Sequence, residues 1–378
     1  MEKIREVTVY TNEDSKLLSS WSNVPFFFTE TLLSKGIQVN RVDLSPSPIL
    51  NQIFNKSIWR VFRAFNRQNT YTYFRTLLHF LITRAKTEKA IRQFGHAQVH
   101  IFLTFSFSSA GLTEKPSVLF CDWTYDYYIN HFQNRKPDLL ERQGIRREDS
   151  QIEGSNLVFP LFPGVAEYMK ARYKNRNIFY LGNVVNSLYD VTSSKITMDR
   201  SKANDLLFVG GRKYIDGART LIQAYAGLKS AYPNLQLHLI GMSEKDFDSL
   251  PDGVFCHGYL DKGKEKEREL YYSLFQKAKV FVNTTPAWGS FSAAVEAMYY
   301  YIPVILTPFS EFVETFGKEI EFGFYCENNS VEQLSKAIRE VLDHESYPAL
   351  CRRAHEAVKD FTWSVYIDKL LAIMQEKL

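Results

Sequence analysis

DLLFVGGRKYIDGARTLIQAY, residues 205–225, holds three local signals in a fixed order. An apolar run, 206–209, meets Gly210 and Gly211; two cations, Arg212 and Lys213, follow; a helical spacing of apolar residues then begins, at about 217–231. A continuously apolar strand leading through a glycine turn into a helix is the mark of a parallel sheet covered on both faces. Glycines let the backbone approach a ligand closely, and the first amides of a helix favour anions. Arg212 adds a planar fork suited to phosphate, and Lys213 a point charge. Taken alone, the same residues also describe a plain strand-to-helix turn with two solvated cations.

The rhythm recurs on either side. Strands are expected at 7–10, 38–44, 99–105, 117–122, 156–161 and 178–181, and a helix at 23–36. From 182 to 203 the pattern fades into GNVVNSLYDVTSSKITMDRSKA. It then resumes with strands at 205–211, 236–241, 254–259, 280–285, 303–307 and 323–327, and with helices at about 264–278, 330–343 and 346–360. The expected organisation is an N-terminal α/β domain, 1–186, a linker, 187–204, a C-terminal α/β domain, 205–360, and a closing helix, 361–378. Ligands of open α/β sheets sit at the carboxyl ends of strands, and with two such domains a cleft between them is the natural site.

Bulk properties narrow the classes. A chain of 378 residues has room for two or three domains with sizeable cores. A formal charge of +4 excludes a polyelectrolyte binder. The four cysteines are far apart and show no metal-ligand spacing, and Cys121, Cys256 and Cys326 fall in apolar runs, which suits a reducing compartment. MEKIREVTVY lacks the apolar core of a signal peptide, and no stretch reaches the roughly 18 apolar residues of a membrane span. A cytoplasmic protein is expected.

Charge concentrates in one place. Residues 55–94 hold nine Lys or Arg against one Glu, interleaved with Trp59, Phe62, Phe65, Tyr71, Tyr73, Phe74, Leu77 and Phe80. Helices at 52–94 with this composition suit an anionic membrane surface. They equally suit core helices with a basic outer face. Nucleic acid is not expected as a partner, because no recognition motif accompanies the charge.

Three further stretches carry candidate chemistry. In TTPAWGSFSAAVEAM, 284–298, Ser290 or Ser292 reads as a helix N-cap, and Glu296 stands among small apolar residues. A carboxylate there needs a partner, either a ribose diol or the favourable field of the helix start. In VFCHGYL, 254–260, His257 either helps hold a base edge or simply ends a strand. In SVLFCDWTYDYY, 117–128, Asp122 ends an apolar strand with Asp126 one turn later. Metal carboxylates, an N-cap and a substrate contact all fit that spacing.

The ordered set FVGGR, DG, LIG, HGYL, FQKAKVFVNTTP, VEAM and PVILT resembles the C-terminal half of GT-B retaining glycosyltransferases of family 4, strongly from about 205 to 378 and loosely before 186. FTWSVYIDKLL resembles that family's last helix. The resemblance implies a GT-B fold of two Rossmann-like domains and metal-independent sugar transfer, with retention, from a UDP- or GDP-linked donor to a glycan or lipid-linked acceptor. No cofactor or metal is implied. Donor contacts would come from Gly211, Arg212, Lys213, His257, Tyr259, Trp288, Gly289, Ser290, Phe291, Ser292 and Glu296, the last on the ribose. Trp21, Asn23, Asp122 and Trp123 would face the acceptor, and Arg212, Lys213 and Asp122 would take part in catalysis. Four positions depart from the pattern. Trp288 replaces the first Glu of E-x7-E, Asp216 the Lys of K-G, SSWSNVP (19–25) the first glycine-rich loop, and Asp122 a His. A nucleotide-binding scaffold without turnover and a GT-B nucleotide-sugar epimerase are the other expectations.

Overall fold

The structure, a computed structural model, describes residues 4–65, 68–191, 203–286 and 291–378. Most of the expected linker, along with Trp288, Gly289 and Ser290, lies outside the described residues. The chain forms two compact units, Met1–Asn183 with Trp363–Leu378, and Val184–Thr362. Among the described residues no helix is long and apolar enough to cross a membrane.

The first unit holds β1 (Glu6–Thr11), β2 (Gln38–Asp43), β3 (Val99–Phe102), β4 (Ser117–Cys121) and β5 (Leu157–Pro160) in one parallel sheet ordered β2-β1-β3-β4-β5. Inner strand β3 is buried throughout, and so is edge strand β5, which Ile178 bridges on its outer side, while the other edge strand, β2, QVNRVD, is only half-covered. That contrast is why the covered strands read as largely apolar runs and β2 does not. The quartet IFYL, 178–181, does not form the expected strand. Ile178 makes a single parallel bridge to Val158, because the backbone leaves the sheet after Phe179 N–H bonds the Val158 carbonyl. The helix Trp363–Lys377 packs Trp363 against Phe28 and Phe120, with Tyr366 edge-on to Phe120.

The second unit holds β6 (Asp205–Val209), β7 (Leu237–Ile240), β8 (Val254–Gly258), β9 (Ala278–Asn283), β10 (Val304–Leu306) and β11 (Gly323–Tyr325), all parallel, ordered β11-β10-β9-β6-β7-β8. Counted from β6, this is the 3-2-1-4-5-6 arrangement of dinucleotide-binding folds. Its core joins Leu206, Phe208, Leu237, Leu239, Val280 and Val282 to helices Ile215–Leu228 and Val331–Leu342. In both units the connections leave the first strand in opposite directions. The crevice favoured for a ligand therefore lies at the carboxyl ends of β1 and β3 in one and of β6 and β9 in the other.

Candidate functional site

At the β6/β9 crevice the backbone is drawn together tightly. A Cβ added to Gly217 would lie 2.5 Å from Thr285 Oγ1 and 2.7 Å from its amide nitrogen, so only glycine lets the helix start rest on the loop after β9. Gly241, with φ of 96°, presses on Gly210: a Cβ there would come within 2.7 Å of the Gly210 carbonyl oxygen. Buried Asn283 accepts from the Thr285 amide at 3.2 Å and hydroxyl at 2.8 Å, and Thr284 donates to Asn329 at 2.6 Å. These contacts fix the loops without using the exposed cations.

Arg212 and Lys213 form a 3-10 turn ahead of the helix Ile215–Leu228, after Gly211. Arg212 is 80% exposed and its Nε lies 2.8 Å from Asp246 Oδ1. Lys213 Nζ stands 4.8 Å from the centre of the Tyr214 ring. Both cations thus stand exposed at the helix's positive end, Arg212 in an ion pair with Asp246. Tyr259, 67% exposed, stands just beyond β8. Ser292 lies inside the helix Phe291–Tyr299 and is exposed rather than capping it; the Phe291 ring packs into a cluster with Phe309, Phe312 and Phe316.

Glu296 has partners that the sequence reading missed. Lys262 Nζ donates to its two oxygens at 2.7 and 2.8 Å, Tyr271 to Oε2 at 2.9 Å and Tyr272 to Oε1 at 3.3 Å. A carboxylate has about four acceptor positions, and all are taken. Lys262 also donates to the Asn186 carbonyl at 3.2 Å and sits 4.3 Å from the Tyr271 ring centre. Burial lowers the Lys262 pKa against the pull of Glu296, and burial beside the carboxylate raises both tyrosines. His257 is likewise engaged within its unit: its Nε2 is 3.1 Å from His238 Nδ1, and His238 Nε2 is 3.2 Å from Asp205. Burial, with His238 and Lys277 nearby, holds the His257 pKa down.

The first unit carries a cavity of about 590 Å³ at the carboxyl ends of β1, β3 and β4. Trp21, Asp122 and Trp123 line it; Asn23 does not, being buried with its amide donating to the Leu18 carbonyl. Trp21, Ser22 and Asn23 have φ of 34°, 54° and 71°, a left-handed run without glycine that stores strain. Asp122 Oδ1 accepts from the Trp123 amide at 2.9 Å and the Cys121 thiol at 3.2 Å, and the Trp21 indole also hydrogen-bonds the carboxylate. Desolvation raises the Asp122 pKa against these donors.

Neither simpler reading of Asp122 describes the structure. The helix cap is Thr124, whose side chain accepts from the Tyr127 amide. Asp126 turns instead to Arg172, at 2.9 Å, and to Tyr168. Among the described residues no three metal-ligating side chains gather.

The cavity wall also uses residues from the basic stretch that were read only for charge. Arg75 lies 2.7 Å from Glu148 and 3.9 Å from the Tyr125 ring centre. Asn69 and Thr70 are held by Asp138 and Glu141. Within the stretch, Tyr71 and Tyr73 are buried with Phe54 and packed by Trp59 and Phe62.

Residues 192–360 match the family model described as Glycosyl transferases group 1. Sucrose-phosphate synthase from Thermosynechococcus elongatus is 17% identical over 98% of this chain and 98% of that one, with a TM-score of 0.65. HepE from Anabaena, solved with UDP and glucose, is 12% identical over 98% and 99%, with a TM-score of 0.63. The lipopolysaccharide outer core galactosyltransferase WaaB is 12% identical over 99% and 100%, with a TM-score of 0.60. No curated protein sequence matches the chain.

Proposed function

Taking residues 192–360 as a glycosyl transferases group 1 domain on a GT-B fold, we propose that the chain moves a sugar from a UDP- or GDP-linked donor to a glycan or lipid-linked acceptor. The observation that carries this reading is the β6/β9 crevice. There Gly210 and Gly211 bring backbone close, and Arg212 and Lys213 stand exposed at the start of a 14-residue helix. A nucleotide diphosphate fits such a place, since amides, helix dipole and two cations all favour its charge. HepE, solved with UDP and glucose, has the same fold and supports the choice of nucleotide.

In this reading the bond between the anomeric carbon and the diphosphate oxygen breaks as the acceptor hydroxyl approaches from the same face. The hydroxyl proton passes to the departing phosphate, and the configuration is retained. Stabilisation of the leaving group comes from Arg212, Lys213 and the helix amides, which supports a metal-independent reaction. Asp122 contacts the acceptor hydroxyl. Glu296 reaches a ribose only by exchanging a tyrosine hydroxyl for it. That saturated carboxylate, together with Asp216 at the helix start, favours a second reading, a nucleotide-binding scaffold without turnover.

Arg212→Ala is expected to weaken UDP or GDP binding by about 1.5 to 3 kcal/mol, the worth of a charged hydrogen bond, without loss of folding. Calorimetry giving unchanged affinity sinks the donor-site assignment. Turnover of a nucleotide-sugar panel separates enzyme from scaffold, and the proton NMR coupling of the product's anomeric centre decides retention.

The reading also sets the chain on an anionic membrane face. Ile49, Ile53, Val61, Leu77, Leu78 and Leu81 are each more than half exposed, and Lys56, Arg60, Arg84, Lys89 and Arg92 are exposed on the same helices. Flotation with vesicles containing phosphatidylserine is expected to recruit the protein at low salt. Recovery equal to that with neutral vesicles removes this part of the proposal.

A further inference from the structure

The cavity of the first unit has a composition that selects by charge. Its volume of about 590 Å³ suits one or two sugar rings. Trp21 and Trp123 line it, and neither ring is loose. Trp123 stacks on Phe162 at 4.9 Å with 12° between planes and meets Phe132 edge-on at 4.7 Å. Trp21 rests 5.9 Å from Phe120 on the left-handed turn. Rigid indoles present flat apolar faces at little entropic cost, and a pyranose offers C–H faces of matching size.

The ionic lining is one-sided. Arg75 is the one basic side chain among the described residues that line the cavity. Its Nη1 is already given to Glu148 at 2.7 Å and Ser106 at 2.9 Å. Glu148 completes its own bonding with the Ser106 hydroxyl at 2.7 Å and the Tyr125 amide. That pair cancels itself. Asp122 and Glu13 remain on the lining, and among the described residues that line it no further cation balances them. Hydroxyl groups can donate to these carboxylates. A phosphate would be desolvated beside them without a counter-charge, an arrangement that costs binding.

We infer that this cavity receives an uncharged sugar ring of the acceptor and rejects a phosphorylated one. The inference rests on the proposed role of the first unit as the acceptor side. Among lipid-linked acceptors it requires that any phosphate lie outside the cavity while a terminal neutral sugar lies within.

The test uses the full chain with no nucleotide-sugar present. Methyl glycosides of glucose, galactose, mannose and N-acetylglucosamine, and their 6-phosphates, are titrated by tryptophan fluorescence and by saturation-transfer NMR. At least one neutral glycoside is expected to bind, with its phosphate at least about tenfold weaker, the equivalent of one lost favourable contact. Asp122→Asn and the exposed Glu13→Gln are each expected to narrow that ratio. A phosphate that binds as well as its neutral parent overturns the inference, as does an unchanged ratio in both variants or a panel that gives no binding. Because transfer is not measured, a scaffold without turnover still gives the selective binding. Transfer to an anionic sugar would uphold the glycosyltransferase reading while removing this one.

Discussion

The two crevices share a topology and differ in what fills it. Between β1 and β3 the loops stand apart and side chains make the wall, with indoles, a strained turn and an internally neutralised Arg75–Glu148 pair around open space. Between β6 and β9 the loops close until glycines touch neighbouring backbone, and the nearby buried ion pair, Lys262 with Glu296, is enclosed by tyrosines. A wall of side chains can vary its chemistry without disturbing the sheet. A site built from backbone approach has little tolerance for added atoms but holds its amides and helix end in fixed directions.

The sharpest way to break this contrast is at Lys262. Lys262→Met leaves Glu296 buried without its cation and is expected to cost about 3 to 5 kcal/mol of stability. Urea denaturation measures the loss, and adding Glu296→Gln should recover most of it. If Lys262→Met alone is neutral, the pair does not hold the second crevice in shape.

Next is the clamp on the first cavity. Glu141 accepts from Arg135 on both oxygens at 2.7 Å and from the Thr70 amide at 2.8 Å. Burial works against its charge, but Arg135 and Thr70 pull its pKa from 4.5 down to about 2. A depressed carboxylate contributes stability that is present above its unfolded pKa and lost as pH falls through the folded one. Glu141→Gln is therefore expected to cost about 3 kcal/mol at pH 7, and the gap to the parent should shrink between pH 4.5 and 2. A gap that stays constant with pH means the side chain acts by shape alone.

The smallest effect is at Gly217. Gly217→Ala places a methyl against Thr285 and is expected to cost about 1 to 3 kcal/mol, seen as a lower melting temperature with weaker nucleotide binding. Alanine tolerated without either change would mean that the second crevice is looser than its contacts imply.

Much of this architecture was legible. Buried strands such as LVFP and VHIF announce themselves because both faces are covered, and VGGRKYIDG marks its turn through glycine. Strand order was not legible, because alternation of strand and helix is the same for either sheet. Glu296 was visible as an anomaly, but its partner Lys262 is 34 residues away and no local pattern links them. The left-handed turn at Trp21–Asn23 escaped notice because none of the three is glycine; tertiary contacts impose the conformation. Arg75, Asn69 and Thr70 were hidden inside a stretch whose net charge drew attention away from its individual hydrogen bonds.

The helix Trp363–Lys377 belongs to the unit that begins at the other end of the sequence. Synthesis therefore delivers the parts out of order. Residues 184–362 can close their own core as soon as they emerge, while Phe28 and Phe120, made long before, still await Trp363 and Tyr366. The unit whose first residues emerge earliest is therefore the last able to complete its core.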